Sequence, residues 1–407
     1  MALTETPFKI SISDADLEQL KKKLELTRLP DELEDAGKVY GSPLVDVRRM
    51  TKHWKNGFDW RKQEAKLNEE LPQFTRDVEV DGFGVLNVHY VHKKSQAANA
   101  IPLLFVHGWP GSFIEVLKIL PLLNGVSTDH PSFHVVAISL PGFGFSEAPH
   151  KKGFEGKQMA QTGHKLMLAL GHNEYVVQGG DWGALIGRDM AQLYGPKHVK
   201  AWHTNLPVGN PPHLLTHPLL FLRHLLFGYN ARDKAALENT KRFQTEGSAY
   251  QGQHRTRPQT LSYSLADSPV GLLGWIYEKL YAWTDGYEWT DDEVLTWISL
   301  YWFSRAGPAA SLRIYYEVYH ARGAGGNMQN LETDTPTGYS YFPKEIYTFP
   351  KSWYTAGFPN VIFESEHDTG GHFAAWEQPH ALVGDLRSMF GKKGPAYGFV
   401  PGKSGYD

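Results

Sequence analysis

Three short segments hold residue types that can make and break bonds. Tyr175-Val176-Val177-Gln178-Gly179-Gly180-Asp181-Trp182-Gly183-Ala184 sets one carboxylate among small residues, after an apolar run and before the helix-compatible LIGRDMAQLYG. That layout predicts a strand, a sharp turn and a helix, with neighbours small enough for the backbone to lift the Asp181 side chain above a sheet. Serine is the usual occupant of such an elbow. A carboxylate there needs no base to become a nucleophile, and its attack on carbon yields an ester. Taken alone, the segment has the plainer alternative of a helix start capped by Asp181, which the catalytic reading outweighs.

The second segment, His107-Gly108-Trp109-Pro110-Gly111, follows the apolar run IPLLFV. A turn after an early strand is where an elbow fold supplies a backbone N–H to an oxyanion. Pro110 has no N–H, so Trp109 is the expected donor, and the N–H of Trp182, just after the nucleophile, is the second. The third segment is Gly370-Gly371-His372, after the strand-like NVIFESEHD. The chain order nucleophile, acid, histidine makes His372 the expected general base. Several carboxylates compete to orient it: Glu345, after the strand-like TGYSYF, and Glu364, Glu366 and Asp368, on or beside the base's own strand. Acid and base normally come from the ends of neighbouring strands, which favours Glu345.

These side chains need a scaffold, and the texture of the chain predicts one. Residues 1–79 form an N-terminal helical extension: Ser13-Asp14-Ala15-Asp16 is an N-cap for LEQLKKKLELTRL, and a second helical run covers VDVRRMTKHWKNGFDW. From Val78, VEVDGFGVLNVHYVHKK reads as a hairpin about a Gly-containing turn. Apolar strands then alternate with helices, which implies a mostly parallel central sheet with helices on both faces. Residues 80–206 form the first part of this α/β core and 330–407 the second. Between them, 207–329 loses the strand signal and becomes a helical lid over the site. Elbow, oxyanion turn and late histidine on such a sheet make an α/β-hydrolase fold.

Composition removes other functions. With 407 residues, 41% hydrophobic and 21% charged, the chain can bury a large core as an ordinary soluble globular protein. The net charge is −3 and Lys and Arg are dispersed, so no basic stripe invites nucleic acid or an anionic membrane. Cysteine is absent, which excludes disulfides and thiolate chemistry. The opening MALTETPFKISISDADLEQL lacks a signal-length apolar run, and no stretch reaches the ~20 apolar residues of a membrane span. A soluble, cytoplasmic protein without cofactor or metal is expected.

The motifs together resemble the microsomal-type epoxide hydrolases, including the soluble fungal members and the insect juvenile-hormone enzymes. The likeness runs along almost the whole chain: Phe58-Asp59-Trp60-Arg61, HGWPGS at 107–112, LPGFGFS at 140–146, GGDWGA at 179–184, SPVGLLGWIYEK at 268–279 and GGHFAAWE at 370–377. It implies Asp181 as nucleophile, His372 as base and Glu345 as acid. It also implies two lid tyrosines that hydrogen-bond an epoxide oxygen: Tyr250, and Tyr315 by Tyr-x-Glu spacing, with adjacent Tyr316 as the alternative. The implied partners are a small-molecule epoxide and water, the product a vicinal diol. Membrane-bound members begin with a transmembrane anchor; no such anchor is read here, and by analogy the N-terminal arm suits a homodimer. A dehalogenase also places Asp at this elbow, so the tyrosines decide between the two chemistries. Trp275, Trp283, Phe303 and Phe113 are candidate pocket walls, although helical spacing favours core packing for each.

Overall fold

The computed structural model describes residues 5–209, 211–321, 333–357 and 360–407. Nine strands form one sheet in the order β1-β2-β3-β5-β4-β6-β7-β8-β9. They are β1 (Thr6–Phe8), β2 (Gln73–Val80), β3 (Gly84–Lys93), β4 (Ile101–Val106), β5 (Phe133–Ile138), β6 (Tyr175–Gly179), β7 (Val199–Thr204), β8 (Thr337–Tyr341) and β9 (Val361–Glu366). β1, β2, β3 and β5 pair antiparallel, whereas β5, β4, β6, β7, β8 and β9 run parallel. Every residue of β4 and β6 is buried, so both faces of the sheet centre are covered. That is why these segments read as unbroken apolar runs rather than alternating ones.

The extension contains α1 (Asp14–Glu25), α2 (Leu44–Asn56) and α3 (Trp60–Glu70). Ser13 caps α1 as expected, its hydroxyl accepting the Asp16 N–H at 3.1 Å. Residues 1–79 are not purely helical, however. Thr6–Phe8 adds an edge strand to β2, and the hairpin partner begins at Gln73 rather than Val78. A three-residue strand carries too short an alternation to be read from sequence. In the core, α4 (Leu120–Asn124), α5 (Gly156–Ala169) and α6 (Trp182–Tyr194) follow β4, β5 and β6.

Among the described residues between β7 and β8 are seven α-helices: α7 (Pro218–Phe227), α8 (Ala231–Arg242), α9 (Ala249–Thr256), α10 (Pro258–Asp267), α11 (Pro269–Ala282), α12 (Asp291–Trp302) and α13 (Arg313–Ala321). The expected boundary between residues 329 and 330 lies outside the described residues. The second half of the core adds α14 (Lys351–Gly357), α15 (Ala374–Glu377) and α16 (Pro379–Phe390). The N-terminal helices brace the lid, with α1, α2 and α3 packed on α11 and α12. Arg49 bridges to Asp291 at 3.0 Å and His53 to Asp292 at 2.7 Å, and Tyr281 donates to the Gly41 carbonyl at 2.8 Å. Exposed pairs of this kind contribute about 0–1 kcal/mol each, so apolar packing supplies most of the bracing.

Candidate active site

β6 ends at Gly179, and Asp181 turns the chain into α6 with φ 49°, one of two positive-φ non-glycine residues among those described. Such a backbone costs about 1–3 kcal/mol and persists only where its surroundings enforce it. Here the enforcement is close approach: a Cβ at Gly183 would collide with the Val106 carbonyl oxygen, and one at Gly108 with the Asp181 carboxylate. The elbow therefore presses against the turn after β4. Asp181 sits at the positive end of the α6 dipole, where a negative charge is favoured.

The turn after β4 is itself pinned. His107 is fully buried, and burial lowers its pKa to about 4, so it is neutral. Its Nε2 accepts the Leu140 N–H at 3.2 Å, which puts the proton on Nδ1, facing the Gly108 carbonyl at 2.9 Å. Two lid side chains hold the same turn from above: the Trp297 indole donates to the Pro110 carbonyl at 2.5 Å and the Tyr301 hydroxyl to the Gly111 carbonyl at 2.7 Å. The Trp109 N–H then points at Asp181 and donates to Oδ1 at 2.7 Å. Trp182 opens α6, so its N–H belongs to the first turn and has no partner within the helix.

β8 and β9 are neighbours in the sheet, and the loops at their C-terminal ends carry Glu345 and His372. His372 Nδ1 lies 2.5 Å from Glu345 Oε1, and its Nε2 lies 3.3 Å from Asp181 Oδ2. Burial works against the charged imidazole, yet Glu345 and Asp181 on either side outweigh it and raise its pKa well above the ordinary value. Glu345 is buried and also accepts the Ile346 N–H at 2.7 Å. Its rivals point elsewhere. Glu364, Glu366 and Asp368 are exposed; Glu364 accepts from the Tyr341 hydroxyl at 2.6 Å, and Glu366 pairs with Arg232 and Lys351.

α9 and α13 pack together in the lid and bring Tyr250 and Tyr315 close to Asp181. Both are buried, their ring centroids are 5.8 Å apart, and each faces Trp109, at 5.1 Å for Tyr250 and 5.9 Å for Tyr315. Tyr315 also meets the Trp182 ring at 4.7 Å, and its hydroxyl interacts with that of Tyr250. Burial, reinforced by the Asp181 charge, pushes both phenols well above their ordinary pKa, so both keep their protons. Tyr316 is half-buried and stacks on His320 at 4.0 Å, turned away from this group.

Some residues here gave no clear sequence signal. Trp283, expected in the core, stands 5.0 Å from His372 and 5.4 Å from Tyr250, and its carbonyl accepts the His372 N–H at 2.8 Å. Asp285 and Glu377 extend this link: Gly370 N–H donates to Asp285 Oδ2 at 3.0 Å and Asp285 N–H to Glu377 Oε2 at 2.9 Å. The end of α11 thus holds the loop that carries His372. His254, buried and neutral because burial lowers its pKa to about 3, packs at 4.8 Å against both Trp109 and Tyr315. Phe113 and Phe303 pack elsewhere, Phe113 on His89 and Phe303 on Trp60.

Glu115 was also missed. Its carboxylate accepts the Ser112 N–H at 3.1 Å in a capping box, and the same side chain lines a cavity with Asp181 and His372. Burial, only partly offset by His372 and the Ser112 N–H, raises its pKa to about 8. That cavity measures about 10 Å³, room for one water molecule. Two cavities near 700 Å³ lie away from these residues, one beneath α8 and one between the N-terminal arm and α10–α11. Chemistry rather than volume locates the site.

Two family models match the chain: "Epoxide hydrolase N terminus" over residues 5–116 and "alpha/beta hydrolase fold" over residues 101–379. An epoxide hydrolase 1 of Sus scrofa is 39% identical over 410 residues, covering 95% of this chain and 88% of that one. Among solved structures, an Aspergillus niger epoxide hydrolase superposes with a TM-score of 0.82 at 34% identity, covering 95% of both chains. A juvenile hormone epoxide hydrolase from the silkworm Bombyx mori superposes with a TM-score of 0.85 at 30% identity, covering 94% of this chain and 93% of that one. Elbow, oxyanion turn and late histidine lie within the matched spans, and the chain belongs to the epoxide hydrolase family of the α/β-hydrolase fold.

Proposed function

We propose that this enzyme opens epoxides to vicinal diols in two steps through a covalent ester on Asp181. Trp109 N–H holds Oδ1, which leaves Oδ2 as the attacking oxygen. The Tyr250 and Tyr315 hydroxyls, protonated because they are buried, donate to the ring oxygen as the C–O bond breaks and then protonate the alkoxide. Relief of ring strain drives this step. Asp181 is then a neutral ester, and one of the two charges that raised the His372 pKa is gone. The imidazolium now gives up its proton, which restores the phenol that protonated the alkoxide, and the neutral ring acts as base at Nε2, while Glu345 holds Nδ1. His372 takes a proton from water, the hydroxide attacks the ester carbonyl, and the Trp109 and Trp182 N–H groups stabilise the oxyanion at Oδ1. Collapse releases the diol and restores Asp181.

The observation that carries this reading is the relay itself: Asp181 Oδ2 to His372 Nε2 at 3.3 Å, and His372 Nδ1 to Glu345 Oε1 at 2.5 Å, beneath two buried phenols. The test is a single turnover of styrene oxide in heavy-oxygen water. Ester chemistry puts the label into the Asp181 carboxylate and leaves the first diol unlabelled. Label in the diol alone would mean direct attack by water and end the proposal.

A further inference from the structure

Among the described residues, an apolar helix of the lid is left uncovered. In α7 no residue is buried, and Leu215, Leu219, Leu222, Leu225, Leu226 and Phe227, on or just before it, are 42–84% exposed. A helix that is apolar on all sides normally lies inside a protein or a bilayer, and a monomer rarely leaves so much contiguous apolar surface bare. The polar links of α7 to the core sit at its C-terminal end, where His224 Nε2 meets the Ser352 hydroxyl at 2.9 Å and Tyr229 accepts the Trp353 indole N–H at 2.9 Å. The rest of the helix stands out as a ridge.

We propose that α7 is a docking element for a phospholipid surface. The stretch 207–232 contains no Asp or Glu; its permanently charged side chains are Arg223 and Arg232, and it also holds His213, His217, His224 and Tyr229. Arg232 is engaged by Glu366, which leaves exposed Arg223 to reach lipid phosphates. The ridge is almost entirely leucine. Contacts between proteins draw their energy from Trp, Tyr and Arg, with leucine under-represented, so a second copy of the chain fits this surface less well than acyl chains do. Ten residues rise about 15 Å, half of a ~30 Å hydrocarbon core, so α7 lies on the membrane and does not cross it. This agrees with the lack, among the described residues, of any helix long and apolar enough to span. The dispersed charge that argued against an anionic membrane tells nothing about apolar insertion, which depends on which leucines remain exposed after folding. The same lid carries Tyr250 and Tyr315, so apolar epoxides dissolved in a bilayer would be delivered beside the site.

The experiment is flotation of the intact protein with vesicles of phosphatidylcholine and phosphatidylserine in equal parts, and of phosphatidylcholine alone. Wild type is expected to float, and Leu219→Glu/Leu226→Glu to stay behind, each leucine lost weakening binding by roughly ten- to a hundred-fold. Val126→Glu, at a lone exposed apolar residue, should float like wild type. All three should turn over styrene oxide at equal rates in solution, because α7 touches none of the reacting groups. Wild type that stays behind with both vesicles overturns the proposal. So does a double variant that floats undiminished. Light scattering that shows a wild-type dimer lost in the double variant, without vesicle binding, would assign the ridge to a second copy instead.

Discussion

Replacing His372 with Gln separates the two steps of the proposed reaction. His372 Nε2, 3.3 Å from Asp181 Oδ2, is the base within reach of a water beside the ester, and Trp109 N–H already occupies the other carboxylate oxygen. A positioned base contributes about 10²–10⁴-fold, which is roughly 2.7–5.4 kcal/mol of barrier. That whole factor should fall on ester hydrolysis. Ring opening needs an ionised Asp181 and the two phenols, all of which remain. In a single turnover with styrene oxide, intact-protein mass should rise by one epoxide, and the ester should persist about 10²–10⁴ times longer than in wild type. The substitution also removes a buried partner of Glu345, and stranding one member of a buried pair costs about 3–5 kcal/mol. The Gln amide can still donate to Oε1, so the loss should lie below that range, and a denaturant melt must accompany the kinetics. A variant that is folded yet hydrolyses its ester at the wild-type rate would refute the role of His372. A folded variant that never forms the ester would place the histidine in ring opening.

Tyr250→Phe and Tyr315→Phe should each slow ring opening by roughly ten- to a hundred-fold, the value of a hydrogen bond of about 1.5–3 kcal/mol to a developing charge. Ester decay should be unchanged, as stopped-flow indole fluorescence can read from Trp109 and Trp182. Glu115 carries a carboxyl pKa raised to about 8, so its contribution to stability is complete below about pH 4.5 and is lost as pH rises through 8. Wild type should therefore lose stability over that interval in urea melts, while Glu115→Gln shows a flatter profile there; parallel profiles would contradict the burial of Glu115. Asp285→Ala should lower turnover through ester decay, not ring opening, because it frees the His372 loop from the end of α11. Gly183→Ala should cost about 1–3 kcal/mol or more by overpacking against the Val106 carbonyl, measured as a shift in denaturation midpoint.

The candidates for nucleophile, base and oxyanion turn could be picked out in the chain because each lies in one short segment whose chemistry and local backbone agree. Gly-Gly-Asp-Trp-Gly specifies the elbow through the room its glycines leave, and the unbroken apolar runs of β4 and β6 specify a sheet covered on both faces. Glu345 could be favoured over Glu364, Glu366 and Asp368 only by a rule about neighbouring strands. Folding separates the four, burying one and exposing three. The edge strand Thr6–Phe8 left no trace in the sequence, since its pairing with β2 depends on a partner some seventy residues away.

Spacing could not choose between Tyr315 and Tyr316. Adjacent residues on a helix point about 100° apart, and only the packing of α13 on α9 sends one ring to Trp182 and the other to His320. Nor could it show that Trp283 and Asp285 hold the base's loop, because those contacts join positions almost ninety residues apart. The leucines of α7 carry the same lesson in reverse: apolar composition reads as core, and the fold leaves them outside. The sequence by itself determined the candidates for reacting atoms, because residue chemistry and local turn geometry are properties of a few consecutive residues. The tertiary structure alone decided which carboxylate is buried, which tyrosine lies near Asp181 and which apolar surface stays exposed, because burial depends on residues distant in the chain.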